Sequence, residues 1–374
     1  MAKILYISDM DITGSGYMNI SIPLCLGLVE KGHEIIVLGL AYKNSEHHFP
    51  FKLVAMKTFI EVGAAVHNLR LLWKPDLIIA ALDIPWHDLI LRQVIRDQPA
   101  IPYFGIFPVE GDPLCMDWAM ILMQMTKQYA ISQFGTDECQ KQGVMAEHFQ
   151  VGIDTVAWRP PTPEERKALR DAAGFEEEDR IVLTVADNQE RKALGIAFQS
   201  IAEARKTIPH LKYALVTREN NTQGFKLRSL ASRDDIAIHD ILYIFERGME
   251  FKKLWSMYAI ADAFFLPSKA EGLGMPLLEA MAVGLPCVAT NCSGMSELLS
   301  DGRGYLIKPE FVYPDVFGNA NRYMIAPWRA AECLELVLNA KHPQMVQDAL
   351  DYVQARSWQI PVDMIDKAIK DTIK

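Results

Sequence analysis

The chain is 374 residues long, half of them hydrophobic and 23% charged, which suits a two-domain globular protein. That balance excludes a disordered tail, a collagen-like chain and a coiled-coil rod. Lys and Arg number 38 against 47 Asp and Glu, a formal net charge of −9, which argues against a nucleic-acid coat or general adhesion to anionic membranes.

Taken in chain order, Lys3–Ser8 (KILYIS) is a short apolar run that reads as a buried strand, followed by the loop DMDITGSG. A helix is expected from about Tyr17, with Ile22, Leu26 and Val29 on one face. Pro23 is tolerable only near its first turns, and Gly32 ends it. Further apolar runs are Glu34–Leu40, LIIAAL after Pro75 and Asp76, Ile101–Phe107 and Gln128–Ser132. Continuous runs of this kind, separated by helical stretches, point to a parallel sheet covered on both faces. Around Asp154–Glu164 the chain turns proline-rich, the acidic run Glu176–Asp179 follows, and the region reads as a linker.

The rhythm then restarts. Strands are expected at Ile181–Ala186, Lys212–Thr217, Ala263–Pro267 and Pro286–Thr290, and helices at Leu194–Lys206, Lys252–Ile260 and Met275–Val283. The expected class is α/β, with two Rossmann-like, doubly wound halves over residues 1–158 and 159–357. A last amphipathic helix, Pro361–Lys374, aligns Val362, Ile365 and Ile369. That stripe must be buried by this chain or by a second copy, so both a monomer and a homodimer fit.

Cys25, Cys115, Cys139, Cys287, Cys292 and Cys333 form no C-x-x-C pair and read as buried thiols of a reducing compartment. The start, MAKILYISDMD, is neither a signal peptide nor a membrane span, and no apolar run approaches about 18–20 residues. A cytoplasmic protein is expected.

The stretch Phe264–Ile307 carries the chemistry. A buried strand ends at Pro267, and a loop with Glu271, Gly272 and Gly274 feeds a helix with Pro276 in its first turn. Glycines let a ligand approach the backbone, and the N–H groups of a helix start attract an anion such as a diphosphate. Leu277, Leu278, Met281 and Ala282 share one helical face, with Glu279 well away from it. Carboxylates at the end of a parallel strand suit the vicinal hydroxyls of a ribose and a sugar. Glu279 also reads as a helix-dipole partner, and Arg191 and Lys192 as a solvated helix start.

This stretch, EGLGMPLLEAMAVGLP with Glu271 and Glu279 eight residues apart, resembles the retaining glycosyltransferases of family four, which have the GT-B fold. GMSELLSDGRGYLI, NQERK, YFGIFPVEGDPL, AISQFG and VGIDTVAWRP extend the resemblance from about Lys3 to Ile307. It implies two Rossmann-like domains across a cleft, the second binding a nucleotide-diphosphate sugar (UDP or GDP) and the first the acceptor. Segment 358–374 would cross back onto the first domain. Glu271 would hold sugar hydroxyls, helped by Gly272, Leu273, Gly274 and Met275. Glu279 would hold the ribose, and Lys192, with Asn188 and Arg191 beside it, would meet the diphosphate. Gly14 and Gly16 of Gly14-Ser15-Gly16 would approach the donor, although this also reads as an ordinary strand-to-helix turn. No metal or other cofactor is required, since basic side chains and N–H dipoles neutralise the leaving diphosphate.

Three positions depart from the family. Asp187 stands where an Arg is usual, Val151 where a His is usual, and the first-domain catalytic position offers only Glu110 or Asp112, which also read as turn residues. The acceptor stays open. So do a sugar-nucleotide epimerase or phosphorylase on the same architecture and a decayed nucleotide-sugar binding protein. Asp83 is a candidate for the acceptor pocket or a loop cap. His47-His48 reads as an exposed loop rather than a metal pair.

Overall fold

The computed structural model describes residues 1–373 except 12–15, 44–45, 97–99, 223 and 237–240, with the backbone only for 93–96. The chain divides into two compact units: residues 1–152 with 317–319 and 356–374, and residues 153–316 with 320–355.

Unit 1 runs β1 (Lys3–Asp9), α1 (Gly16–Glu30), β2 (Glu34–Leu40), β3 (Lys52–Met56), α2 (Phe59–Leu72), β4 (Leu77–Ala81), α3 (Ile84–Arg96), β5 (Tyr103–Phe107), α4 (Met116–Leu122), β6 (Lys127–Ala130), α5 (Gln133–Lys141) and β7 (Glu147–His148). The strands form one parallel sheet in the order β3-β2-β1-β4-β5-β6-β7. β4 and β5 are buried along their whole length, which is why they read as unbroken apolar runs.

Unit 2 runs α6 (Pro163–Ala173), β8 (Arg180–Val185), α7 (Leu194–Ala204), β9 (Leu211–Thr217), α8 (Leu227–Arg233), β10 (Leu242–Glu246), α9 (Phe251–Ile260), β11 (Ala263–Leu266), α10 (Met275–Ala282), β12 (Cys287–Thr290), α11 (Ser293–Leu299), β13 (Tyr305–Ile307), β14 (Phe311–Pro314), β15 (Asn321–Met324), α12 (Pro327–Asn339) and α13 (Pro343–Gln354). Its parallel sheet has the order β10-β9-β8-β11-β12-β13, and β14 and β15 pair separately as an antiparallel hairpin. The last helix, α14 (Gln359–Thr372), counts with unit 1.

Several readings are corrected. Pro23 sits in the middle of α1 rather than in its first turns. The fully buried face of α1 is Ile20, Ser21, Leu24, Cys25 and Leu28, and Ile22, Leu26 and Val29 are half-buried. The strand read through Ser132 stops at Ala130, because Ser132 caps α5 by accepting from the Gly135 N–H at 3.1 Å. Part of the supposed linker is helix: Thr162 and Glu165 form a capping box that starts α6 at Pro163. The unit boundary falls at 152/153 instead of 158/159. Gly152 lies against Trp358 so closely that a Cβ there would come within 2.7 Å of the Trp358 backbone nitrogen. Trp158, beyond the boundary, packs edge-on against Phe251 and Tyr258 of unit 2. Cys115 and Cys333 are half-buried, and the other four cysteines are buried.

α14 packs on α1 through Val362, which covers Gly27, and buries Ile365 and Ile369 as well. A polar chain anchors it. The Ala2 N–H donates to His33 Nδ1 at 3.2 Å, so Nε2 carries the proton and donates to Asp366 Oδ1 at 2.9 Å. Among the described residues no helix is long and apolar enough to cross a membrane.

Candidate functional site

In the sheet of unit 2 the chain winds outward from β8 to β9 and β10, then returns on the other side of β8 as β11. The loops after β8 and β11 therefore leave adjacent strands in opposite directions, the topological switch point at which open α/β sheets bind ligands. The first loop holds Asp187, Asn188 and a short turn of 3-10 helix, Glu190–Lys192. The second holds Ser268 to Gly274. A backbone bond from Lys269 N–H to Arg191 O at 2.8 Å ties the two together.

Glu271 is only 6% exposed at this junction. Lys192 Nζ donates to both its carboxylate oxygens, at 2.6 and 2.8 Å, and Arg191 approaches Oε2 at 3.2 Å. Ser268 Oγ donates to Oε1 at 2.6 Å. Burial opposes ionisation, but the Lys192 and Arg191 charges and these hydrogen bonds win and hold the carboxyl down at about 2. The Glu271 backbone N–H donates to Ser293 Oγ at 2.9 Å, and Gly294 N–H donates to Glu271 O at 3.2 Å. Gly294 allows this closeness, since a Cβ there would lie 2.6 Å from Leu273 Cα and 2.7 Å from Gly272 O. Gly272, Leu273 and Gly274 are buried, Met275 is half-buried, and Gly274 starts α10 at φ 97°, which favours glycine.

Glu279 does not lie apart from the packed face: it is buried with every residue from Leu277 to Ala282. Its Oε2 accepts from Tyr258 Oη at 2.5 Å. Burial pushes this carboxyl up to about 7, against the Tyr258 hydrogen bond and the Arg247 charge. The two acids thus respond in opposite directions, one clamped ionised by cations and one pushed toward its neutral form by burial.

Asn188 is a brace. It is fully buried, its Oδ1 accepts from the Phe225 N–H at 2.9 Å, and its amide donates to Phe225 O at 2.8 Å. Asp187 is buried too. Arg218 Nε donates to Oδ1 at 2.8 Å, a second Arg218 nitrogen reaches Oδ2, and Arg247 lies 3.7 Å from Oδ2. Sequence reasoning missed Ser268, Ser293, Tyr258, Arg218 and Arg247. For Arg218 the available signal was a charged residue directly after the buried strand β9; β10, which precedes Arg247, is largely half-buried and gave no such signal.

The remaining candidates lie in unit 1. Gly14 and Ser15 fall outside the described residues, and Gly16 is the exposed first residue of α1. Glu110 and Asp112 are half-buried in the loop after β5, and Asp83 accepts from Tyr17 Oη. His47 stacks on Phe49, and its neighbour His48 is exposed. No cluster of three or more metal-ligating side chains occurs among the described residues.

The sequence pattern of the family described as glycosyl transferases group 1 matches residues 165–322. The putative glycosyltransferase EpsD of Bacillus subtilis is 31% identical over 159 residues, covering 42% of this chain and 40% of EpsD. The GDP-mannose-dependent alpha-(1-6)-phosphatidylinositol monomannoside mannosyltransferase of Mycolicibacterium smegmatis is 29% identical over 164 residues, 42% of this chain and 41% of that one. The matched stretch thus spans about two fifths of these relatives. Over nearly the full length, the crystal structure of Anabaena HepE in complex with UDP-glucose superposes with TM-score 0.74 at 16% identity, covering 99% of this chain and 100% of HepE. The fold is that of GT-B glycosyltransferases. Residues 165–322, the stretch that resembles the glycosyl transferases group 1 family, contain both switch-point loops.

Proposed function

We propose that the chain is a retaining glycosyltransferase that moves a sugar from a nucleotide-diphosphate sugar to an acceptor hydroxyl. The observation that carries this reading is the Glu271, Lys192 and Arg191 cluster at the switch point of unit 2. Lys192 and Arg191 supply positive charge for the leaving diphosphate, so a metal ion is not needed for that task. Glu271 keeps both cations in place before the donor arrives and accepts hydrogen bonds from the hydroxyls of the transferred sugar. Glu279, when ionised, accepts from the ribose. The acceptor hydroxyl attacks the face from which the diphosphate departs. Its proton goes to the departing phosphate oxygen, so no enzyme nucleophile is called for. Catalysis then rests on positioning and charge neutralisation. The HepE structure holds UDP-glucose, and the mycobacterial relative is named for GDP-mannose. Both donor nucleotides therefore belong in the first screen.

The test is turnover of UDP- and GDP-sugars by the wild type and by Glu271→Ala and Lys192→Ala, with folding checked by circular dichroism. Each variant is expected to lose at least about tenfold, or roughly 1.4 kcal/mol of transition-state stabilisation. Unchanged turnover in folded variants would remove these residues from the site. Proton NMR of the fresh product reads the anomeric outcome, and an inverted product would overturn the retaining assignment.

A further inference from the structure

The loop after β8 is held at both ends by buried carboxylates that each gather two cations. At its far end Lys192 and Arg191 meet Glu271 from the β11 side. At its near end Asp187 meets Arg218, the first residue after β9, and Arg247, the first residue after β10. In the sheet order β10-β9-β8-β11, the two clusters flank one loop at the carboxyl edge.

The Asp187 cluster has the form of a positioning device. Asp187 is bound by the Asn188 N–H at 2.9 Å and the Gln189 side chain at 3.1 Å, so the carboxylate is fixed to its own loop. Arg218 grips it with Nε and a terminal nitrogen, the bidentate geometry that fixes a guanidinium plane. Yet the Arg218 side chain stays 41% exposed, while that of Asp187 is 4% exposed. A buried acid thus holds a planar cation that is itself partly exposed. Its neighbour Arg247 also reaches Glu279 electrostatically, so this cluster and the second acid of the site share one charge environment. The named cations Arg191, Lys192, Arg218 and Arg247 number four against the three carboxylates Asp187, Glu271 and Glu279, a balance that favours a phosphorylated ligand.

Resting on the donor reading above, we propose that Arg218 is a diphosphate-binding residue and Asp187 its positioning residue. The diphosphate is gripped from the β9 side by Arg218 and from the β11 side by Lys192 and Arg191. Asp187 is then a working part of the donor site rather than a mark of its decay.

The experiment is calorimetric titration of the full chain with UDP and GDP, using uridine and guanosine as phosphate-free controls. It compares the wild type, Arg218→Gln and the double variant Asp187→Asn with Arg218→Gln. The double variant removes both charges and so avoids leaving a buried carboxylate without its main partner. Expected in both variants is a loss of about tenfold or more in diphosphate affinity with unchanged nucleoside binding. A double variant that binds the diphosphate as tightly as the wild type makes Arg218 a structural partner only and overturns the inference, leaving the donor reading intact. A wild type that binds neither UDP nor GDP overturns the donor reading, and this inference with it.

Discussion

Glu279→Gln isolates the cost of burying a carboxylate in this fold. Glu279 is 6% exposed and accepts from Tyr258 Oη, and Gln keeps both the shape and an oxygen that can accept the same bond. Burial lifts the carboxyl from its ordinary 4.5 to about 7. At about 1.4 kcal/mol per tenfold, this penalises the ionised form by roughly 3 kcal/mol. The folded carboxyl binds its proton more tightly than the unfolded one. Its contribution to stability is therefore fully present below about 4.5 and is lost as pH rises through about 7. Urea unfolding of both proteins at intervals from pH 4.5 to 8 measures the difference directly. Glu279→Gln is expected to match the wild type near pH 4.5 and to exceed it by roughly 3 kcal/mol at pH 8. A stability difference that stays constant across that range would refute the buried, near-neutral carboxyl and its assigned cause.

Glu271 has the opposite sign. Its folded carboxyl lies at about 2, so its contribution is present above about 4.5 and fades as pH falls toward 2. Glu271→Gln should flatten the acid limb of the stability profile in that window, as read by unfolding below pH 4.5. Gly294→Ala would drive a methyl against Leu273 Cα and Gly272 O, both backbone atoms. It should cost about 1–3 kcal/mol in urea unfolding and raise the donor KM by displacing the 272–274 loop. Gly152→Ala would press on the Trp358 backbone. It should lower stability by a similar amount, about 1–3 kcal/mol, and expose the segment before α14 to limited proteolysis. No change in cleavage there would show that Gly152 does not lock this segment.

Much of the architecture was legible because parallel strands buried on both faces advertise themselves as unbroken apolar runs. β1, β2, β4, β5 and β8 are of this kind. β3 and the β14–β15 hairpin escaped notice because they are partly exposed and carry mixed side chains. Pro23 misled by a rule of local propensity that tertiary packing overrides. Within the site, Glu271, Arg191 and Lys192 come together across some eighty residues of chain, as their common appearance in the two loops of one switch point allows. Spacing along the chain said nothing of Arg218 and Arg247. They reach Asp187 only because β9 ends beside β8 and β10 beside β9, a property of strand order rather than of any short sequence pattern. Asn188 shows the converse: its place in NQERK suggested a ligand contact, while the fold commits its amide to the backbone of Phe225 and Glu219.

α14 leaves the ribosome only after every residue of unit 2 has been made, yet its place is on α1, beside the first strand. During synthesis, the surface that α14 covers, including the Gly27 notch filled by Val362 and the ring of His33, stands open while some two hundred further residues are added. Domains generally mature in order of emergence, and exposed apolar surface at that stage is what chaperones bind and aggregation exploits. Weakening α14 should therefore show first as lost yield of nascent protein, before any fault in the finished molecule.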